Sequence, residues 1–349
     1  MGDRPKTVLT KRMRKDDAEA FEAFVRRSPF AACQQTRAWA ENAPQTGRQD
    51  YLYFLCREGA ETIGAAVVRR SRLAPGAALA TVQRGPVVAE ASHLEPVLTA
   101  LKAALREEGF SSLVVGPRAA EEMRLPFADA LRSCGFAPLP PSAQSLHIAT
   151  GKVPLAGPEE AIFGRFKQRG RRAIRKVETA GVSVREASEA DMGACADLLA
   201  DFHIRRPDYD VGGQLSLEGH RRLIAAEGGA LLVAEQAGRI VGYHSFVRQG
   251  PAALWLAMVS DDDAKAPRSY ALLWEGMKRA RALGLSYYDL AGLSADGAEN
   301  GRDQFKHAFA PEREELLPAH VTALRPLRHA IFFTARQGYR AWRKRRGKG

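Results

Sequence analysis

The chain has 349 residues, of which 45% are hydrophobic and 26% are charged, and this is the composition of a soluble globular protein. Its formal net charge of +12 calls for an anionic partner, such as nucleic acid, anionic lipid or phosphorylated small molecules. The sequence contains no apolar run that could span a bilayer, and its basic N-terminus lacks the apolar segment of an export signal, so a cytoplasmic location is expected. The cysteines and histidines have no metal-ligand spacing, so we expect neither a metal nor a cofactor.

Two segments of the chain, residues 53–70 and 231–248, share one pattern of an apolar strand, a glycine-containing turn and a second strand. Each predicted β-hairpin is followed by a helix that ends on glycine and by another apolar strand, at residues 94–117 and 269–292. This repeat predicts an α/β (mixed α+β) fold of two similar domains, residues 1–155 and 156–325, followed by a basic amphipathic tail at residues 326–349.

The order of hairpin, helix and strand is that of GNAT-type acyltransferase folds. Those enzymes bind the pyrophosphate of acyl-CoA on a glycine-rich turn at a helix N-terminus. The corresponding segment here, residues 261–275, begins with three consecutive aspartates and contains a proline but no glycine. Acidic side chains repel a pyrophosphate, so this segment argues against acetyl-CoA as the donor.

The segment from residue 286 to residue 309 carries the best candidate for chemistry. A short strand ends near Asp289, and a polar loop then leads to Lys306, which lies between Phe305 and Phe309. A lysine held in this way could stabilise the negative charge that develops on an oxygen during acyl transfer. The alternative is a surface lysine whose neighbouring phenylalanines anchor a helix start. Asp289 is a candidate proton acceptor, and its alternative role is to cap the following turn.

Several short motifs in both halves resemble, in order, those of the FemABX family, the aminoacyl-tRNA-dependent peptidyltransferases that build peptidoglycan cross-bridges. They extend over residues 20–325 and are Gln35-x-x-x-Trp39, Gln83-Arg84-Gly85-Pro86-Val87, Arg171-Arg172-Ala-Ile174-Arg175-Lys176, Trp274-Glu275, Tyr288-Asp289-Leu-Ala-Gly292 and Phe305-Lys306-x-x-Phe309. The resemblance implies two tandem GNAT-like domains, an aminoacyl-tRNA donor and an amine acceptor on a nucleotide-linked or lipid-linked peptidoglycan precursor.

The same resemblance implies roles for individual residues. Lys306 would stabilise the oxyanion, with Phe305 as its aromatic neighbour. Substrate would be bound by Arg205, Tyr209, Trp255, Gln35 and Arg84. For Arg205 the alternative is a solvated loop in which it pairs with Asp208 or Asp210.

The sequence departs from the family pattern in two places. Asn42 lies where well-studied members have a phosphate-holding lysine, and nearby Arg37 or Arg48 could substitute. The second half has no heptad run, so the coiled-coil arm that some members carry is not expected.

Two basic segments are candidates for binding polyanions. The first is the predicted tRNA-binding helix, whose cations are Lys167, Arg171, Arg172, Arg175 and Lys176. Its alternative is a solvated connecting helix. The second is the tail, in which Ile331, Ala335, Tyr339 and Trp342 share a helical face among arginines. This pattern is typical of a helix that lies on an anionic membrane surface, here the inner face of the membrane. The alternative is ordinary packing followed by a frayed end.

Three functions remain open on the sequence. The first is an aminoacyltransferase that uses charged tRNA. The second is an N-acyltransferase that uses acyl-CoA or an acyl-carrier thioester on a sugar, lipid or small-molecule amine. The third is a non-catalytic RNA- or membrane-binding protein on an acyltransferase scaffold. His244, which lies on a predicted strand, is expected to be packed rather than catalytic.

Overall fold

The protein is described by a computed structural model that covers residues 5–28, 31–74, 77–118, 121–140, 143–144, 146–206, 215–261, 267–294 and 301–330. Contacts between Cα atoms divide the chain into two compact units. The first unit comprises residues 1–40, 44–146 and 316–349, and the second comprises residues 41–43 and 147–315. None of the helices in the described part of the chain has the length and apolar character needed to cross a membrane.

The first unit is built on one sheet with helices beside it. Its strands are β1 (Lys6–Thr10), β2 (Gln49–Glu58), β3 (Glu61–Ala74), β4 (Ala77–Gln83), β5 (Val87–Val88), β6 (Ser112–Gly116), β7 (Ala137–Pro138) and a late strand, β15 (His320–Ala323). They lie in the order β1-β2-β3-β4-β6-β15-β7, with β5 beside β3. The helices are α1 (Lys15–Arg27), α2 (Arg37–Asn42), α3 (Leu94–Glu107) and α4 (Glu121–Ser133).

The core of the first unit follows from the two periodicities of its sequence. In α3, Leu94, Leu98, Leu101 and Leu105 recur at helical spacing and are buried against alternate residues of the central strands. Gly64 of β3 permits this close contact, because a Cβ atom at that position would lie 2.4 Å from a methyl group of Val97. On the opposite face of the sheet, α1 packs its Phe21 ring edge-on against Tyr53 at 5.8 Å between the ring centres.

The second unit repeats this plan. Its strands are β8 (Ala149–Pro154), β9 (Val182–Glu186), β10 (Gly229–Gln236), β11 (Arg239–Gln249), β12 (Ala252–Ser260), β13 (Tyr287–Gly292) and β14 (Glu312–Glu315). They lie in the order β14-β8-β13-β12-β11-β10-β9. The helices are α5 (Glu159–Arg165), α6 (Gln168–Thr179), α7 (Met192–Arg205), α8 (Leu217–Glu227), α9 (Arg268–Ala282) and α10 (Gly301–His307).

The two sheets have the same topology. In each, four consecutive strands pair antiparallel, and the last of them pairs parallel with the strand that follows the next long helix, β6 in the first unit and β13 in the second. Two more antiparallel strands complete each sheet. The predicted fold of two tandem, similar α/β units is therefore confirmed.

The strands that complete each sheet come from unexpected parts of the chain. The first sheet takes β15 from near the end of the described chain, and this strand pairs with both β6 and β7. The second sheet takes β8, which precedes every other element of that unit. The observed division therefore falls near residues 147 and 315 instead of the predicted 155 and 325. Of the predicted tail, residues 331–349 lie outside the described residues.

Candidate functional site

The second unit has a gap between its two central parallel strands. Ala252–Leu254 of β12 pair with Tyr287–Asp289 of β13. Both strands continue beyond these residues without pairing with each other. Just beyond the last pair, β12 has a bulge that skips Leu256 in its pairing with β11. In the first unit, by contrast, β4 and β6 pair over their whole shared length. A gap of this kind leaves backbone amides and carbonyls for other partners, and bulges are common beside active sites.

Lys306 lies at this gap. It is on α10, its side chain is only 3% exposed, and its Nζ donates a hydrogen bond to the carbonyl oxygen of Gly292, at the end of β13, at 2.6 Å. The Nζ also lies 5.2 Å from the centre of the Trp255 ring, in a cation–π contact. The surface-lysine alternative is therefore wrong, because the ammonium group is buried.

Burial changes the protonation of this lysine. The loss of water around Nζ and the nearby Arg302 cation lower the pKa of Lys306 from 10.5 to about 8, and this lowering is opposed by the carboxylates of Asp303 and Asp289. At neutral pH the group is still mainly an ammonium ion, with three N–H donors. The site therefore holds a desolvated cation where two strands separate, and this is the arrangement that stabilises a developing oxyanion.

An aromatic cluster holds the lysine in place. The Phe305 ring meets Tyr270 of α9 at 4.7 Å, Phe309 at 5.4 Å and Trp255 at 6.1 Å between ring centres, all edge-on. Phe309 in turn packs against Phe166, just before α6. The flanking phenylalanines thus fix α10 to the core, so this part of the surface-lysine alternative is correct although the lysine itself is buried.

Asp289 is buried at the last position at which β13 pairs with β12. Its Oδ1 accepts hydrogen bonds from the hydroxyl of Thr150 and, at 2.9 Å, from the backbone N–H of Ala291. Ala291 has a φ of 58°, in the left-handed region that a non-glycine residue adopts only at a cost. These contacts are those of the turn-capping alternative, and the role of Asp289 as proton acceptor stays a prediction.

A buried histidine–tyrosine pair lies behind Trp255 and was not predicted. His244 of β11 is packed, as the sequence indicated, and its Nδ1 lies 2.9 Å from the carbonyl of Ala257, next to the β12 bulge. Since a carbonyl only accepts, Nδ1 carries the proton and Nε2 accepts a hydrogen bond from the hydroxyl of Tyr288. Burial lowers the pKa of His244 to about 4, which keeps the ring neutral.

This pair supports the site from behind. The His244 ring packs edge-on against Trp255 at 5.7 Å, so it contacts both the bulge and the residue beneath Lys306. Gly276 of α9 makes room for it, because a Cβ atom there would lie 2.9 Å from the His244 ring. In the sequence, the only indication of this hydrogen-bonded pair was that His244 and Tyr288 each place a polar group on a strand that is otherwise mostly apolar.

The predicted substrate residues of the second unit are Trp255, Arg205 and Tyr209. Trp255 joins Lys306 and Phe305, as described above. Arg205 ends α7, is exposed, and its Nε lies 3.4 Å from the carbonyl of Asp201, one turn earlier in the helix. Tyr209, together with the alternative partners of Arg205 at positions 208 and 210, lies outside the described residues.

The two predicted substrate residues of the first unit have mainly backbone contacts. Gln35 is fully buried and joins two strands where they do not pair, since its Oε1 accepts from Val67 N–H at 2.9 Å and its Nε2 donates to the Gln83 carbonyl at 2.6 Å. Arg84 follows β4 with a φ of 61°, and its N–H donates to the carbonyl of Gly116 at 2.6 Å. Their roles in substrate binding stay predictions.

The predicted tRNA-binding helix is amphipathic rather than charged all round. Gly170, Ile174 and Val177 of α6 form its buried face, and Gly170 approaches the backbone of Ala308 so closely that a Cβ atom would lie 2.6 Å from that carbonyl oxygen. The Lys167, Arg172, Arg175 and Lys176 side chains are exposed. Arg171 differs from them, because its Nη1 donates to the carbonyls of Gly164 and Phe166.

Two family models match parts of this chain. Residues 17–129 match the model of the FemAB family, and residues 164–307, which include Lys306, match the model of the acetyltransferase (GNAT) domain. The predicted resemblance to the FemAB family is confirmed. None of the curated protein sequences compared with the chain matches it.

Solved structures share the fold of this FemAB-like chain at low sequence identity. A crystal structure of FemX has a TM-score of 0.76 at 14% identity, over 93% of this chain and 99% of FemX. The C-terminal domain of a putative lysylphosphatidylglycerol synthetase from Agrobacterium fabrum has a TM-score of 0.56 at 14% identity, over 91% and 95%. A tandem GNAT protein from the clavulanic acid biosynthesis pathway has a TM-score of 0.50 at 12% identity, over 91% and 99%.

Proposed function

We propose that the protein is an aminoacyltransferase that moves an amino acid from aminoacyl-tRNA to an amine of a peptidoglycan precursor. The observation that carries this proposal is the buried Lys306 ammonium at the gap between β12 and β13, within a chain that resembles the FemAB family. The FemX and lysylphosphatidylglycerol synthetase structures have the same fold, which supports transfer of an aminoacyl group.

The reaction is the aminolysis of an ester. The acceptor nitrogen attacks the ester carbonyl carbon, a C–N bond forms, and the C–O bond to the tRNA ribose breaks. The proton lost by the amine ends on the ribose oxygen. No oxidation state changes in this reaction, so no redox partner is needed. Because the ester is already activated, the enzyme mainly supplies proximity and stabilises the negative oxygen of the tetrahedral intermediate.

Lys306 is the proposed stabiliser of that oxygen. Its ammonium uses one donor on the Gly292 carbonyl, and this contact fixes the position of Nζ. Burial strengthens its attraction to an oxyanion, since the local dielectric is low. Trp255 and Phe305 keep water away from the cation, and the His244–Tyr288 pair fixes Trp255 from behind.

The donor tRNA would contact α6. Arg169 is exposed as well, so this helix and its N-cap residue carry five exposed cations, which suit the phosphates of a nucleic-acid backbone. The N-terminus of α6 is joined directly to the segment that follows Lys306, because Lys167 N–H donates to the Ala308 carbonyl at 3.0 Å. A phosphate-binding helix and the proposed catalytic lysine are therefore parts of one packed structure.

The second candidate is an N-acyltransferase that uses an acyl thioester. It is favoured by the acetyltransferase (GNAT) match over residues 164–307. One contact argues against it. The extended arm of an acyl-CoA or acyl-carrier donor would need backbone hydrogen-bond partners at the strand gap, and the Gly292 carbonyl there already accepts from Lys306. The membrane contact proposed for the basic tail is a separate property that either candidate could have.

The deciding experiment uses the purified full chain with bulk tRNA charged with labelled amino acids. Nucleotide-linked and lipid-linked peptidoglycan precursors serve as acceptors, with and without RNase, and label in the product is measured. We expect RNase-sensitive transfer that is lost in Lys306→Ala. Lys278→Ala is the matched control, because Lys278 also lies over a tryptophan ring, Trp274, at 5.7 Å.

Each other result has a defined meaning. Transfer that resists RNase and requires an acyl thioester would support the second candidate. A folded protein that transfers nothing from either donor but still binds RNA or vesicles would support the non-catalytic alternative.

A further inference from the structure

A row of polar side chains crosses three strands of the first unit. Arg69 of β3 lies directly opposite Tyr51 of β2 and directly opposite Thr81 of β4. Side chains at directly opposed positions point to the same face of a sheet. Tyr51, Arg69 and Thr81 therefore form one line on that face.

Of the six residues that flank this row on the three strands, three are hydrophobic and buried, and the other three, Gln49, Ser71 and Gln83, are polar and partly buried. Tyr53, Val67 and Leu79, which flank the row on the same three strands, are each less than a tenth exposed, as are Tyr51 and Thr81 themselves. Arg69 is half-buried among them. The row thus places a half-buried guanidinium on this face of the sheet.

Arg69 differs from the arginine that follows it. Arg70, on the other face of β3, binds both oxygens of Asp50 through Nε and Nη2, each at 2.7 Å. The Nε of Arg69 is buried and has no hydrogen-bond partner within the described residues, and none of their carboxylates pairs with it. Burial lowers the pKa of Arg69, and Tyr51 is the only neighbour that opposes this change.

An unsatisfied guanidinium edge has a definite chemical complement. The Nε–H and the adjacent Nη–H point the same way and grip two oxygens of a carboxylate or phosphate. An arginine stays charged at any physiological pH, so its buried edge is stabilised by an anion rather than by loss of a proton. Tyr51 and Thr81 occupy the strand positions on either side of Arg69. The Tyr51 hydroxyl accepts from Gln49 Nε2 at 3.4 Å, and both hydroxyls keep a proton that they can donate to further oxygens.

We propose that Arg69, with Tyr51 and Thr81, is an oxyanion-binding subsite of the first unit that takes the phosphate or carboxylate group of a ligand. The subsite concerns this sheet alone and does not depend on the proposed transfer reaction. It is separate from the gap between β12 and β13 in the second unit.

The test measures anion binding by the full chain without any donor or acceptor substrate. Sodium phosphate, pyrophosphate and acetate are titrated at constant ionic strength, and the unfolding temperature and the NMR signals of arginine Nε–H groups are followed. Wild type is compared with Arg69→Gln and Arg69→Met. Arg132→Gln is the control, because Arg132 is an exposed arginine on α4 of the same unit.

We expect at least one anion to raise the unfolding temperature of wild type and of the control, and to shift the Nε–H signal that is missing from Arg69→Gln. In both Arg69 variants binding should weaken by about ten- to a hundredfold, the range for a charged hydrogen bond. Arg69→Met should be at least as stable as wild type without anions, because it removes an unpaired, partly buried cation. A response to phosphate but not acetate, or the reverse, identifies the chemical class.

Three results would overturn the proposal. The first is a wild type that responds to none of the anions beyond the effect of chloride. The second is an anion response that Arg69→Gln retains in full. The third is a marked loss of stability in Arg69→Met without anions, which would show that the guanidinium serves the fold.

Discussion

The Nζ of Lys306 lies 2.6 Å from the carbonyl oxygen of Gly292, the residue on which β13 ends. This hydrogen bond connects a short helix to the edge of the strand gap, so the position of the ammonium is set by the backbone of the sheet. A flexible surface lysine could not be placed so closely. The contact holds the ammonium at a fixed place beside the strand gap.

The rate of transfer should depend on Lys306 and on its protonation. Lys306→Ala is expected to lower the single-turnover rate by about 100- to 1,000-fold, the usual cost of losing one oxyanion donor. In wild type the rate should fall as the pH rises through about 8, because the ammonium is then lost. Lys306→Arg should move this decline to higher pH. A wild-type rate that stays constant to pH 10 would contradict the assignment.

The same lysine should reduce stability at neutral pH. Its pKa is about 8 in the folded chain and 10.5 as a model value, so between these values the unfolded chain binds more protons. Stability should therefore rise with pH across this interval. Lys306→Met should be more stable than wild type at pH 7 and should lose this rise. Urea unfolding at several pH values measures both effects, with Lys278→Met as the control.

Substitution of Asp289 separates its two candidate roles. Asp289→Asn keeps an oxygen that can accept from Thr150 and Ala291, so we expect near-normal stability and only a small loss of rate. Asp289→Ala should destabilise the protein by about 1–3 kcal/mol, since buried donors lose their acceptor. Because the carboxylate raises the pKa of Lys306, the alkaline decline of Asp289→Asn should begin at lower pH. A stable Asp289→Asn with a hundredfold slower rate would instead establish a proton acceptor.

Two arginines of α6 should behave differently when replaced by glutamine. Arg172 is exposed, so Arg172→Gln should weaken tRNA binding and reduce the slope of log affinity against log salt by about one, with little change in stability. Arg171 donates to two backbone carbonyls, so Arg171→Gln should lower stability. Filter binding at several salt concentrations and thermal unfolding distinguish the two. An unchanged salt slope in Arg172→Gln and Lys176→Gln would argue for a solvated connecting helix.

Gln35 should matter for the fold of the first unit. Gln35→Ala leaves the Val67 N–H and the Gln83 carbonyl without their partner, and each unsatisfied buried group costs about 1–3 kcal/mol. Urea unfolding should show this loss, and Gln34→Ala is the control at the adjacent position. If Gln35→Ala is as stable as wild type but has a raised KM, the predicted substrate contact is the better explanation.

The fold could be predicted because its signals are local. Hairpins at residues 53–70 and 231–248, each followed by a helix that ends on glycine, indicated two similar units, and the sheets have that order. Lys306 was singled out in the same way, from its neighbouring phenylalanines, and its catalytic role stays a prediction. Turn and periodicity patterns extend over a few residues, and so these features can be read from one sequence.

The features that escaped prediction depend on contacts between distant residues. Gln35 meets its partners on β3 and at the end of β4, and the His244–Tyr288 pair joins residues 44 positions apart. The contacts of Asp289 with Thr150 and Ala291 are of the same kind, since Thr150 lies 139 positions away, and they are contacts that a capping residue makes. The domain limits moved for the same reason, since no local pattern shows which sheet β8 or β15 will join.

The late strand β15 has a consequence for synthesis on the ribosome. It lies between β6 and β7, and in the described structure β7 has no other strand beside it. The sheet of the first unit therefore stays open at β6 until residue 323 has left the exit tunnel, long after β1 to β6 have emerged. During that interval an apolar edge is exposed to pairing with other chains, so a nascent chain stalled before β15 would be a natural client for a chaperone.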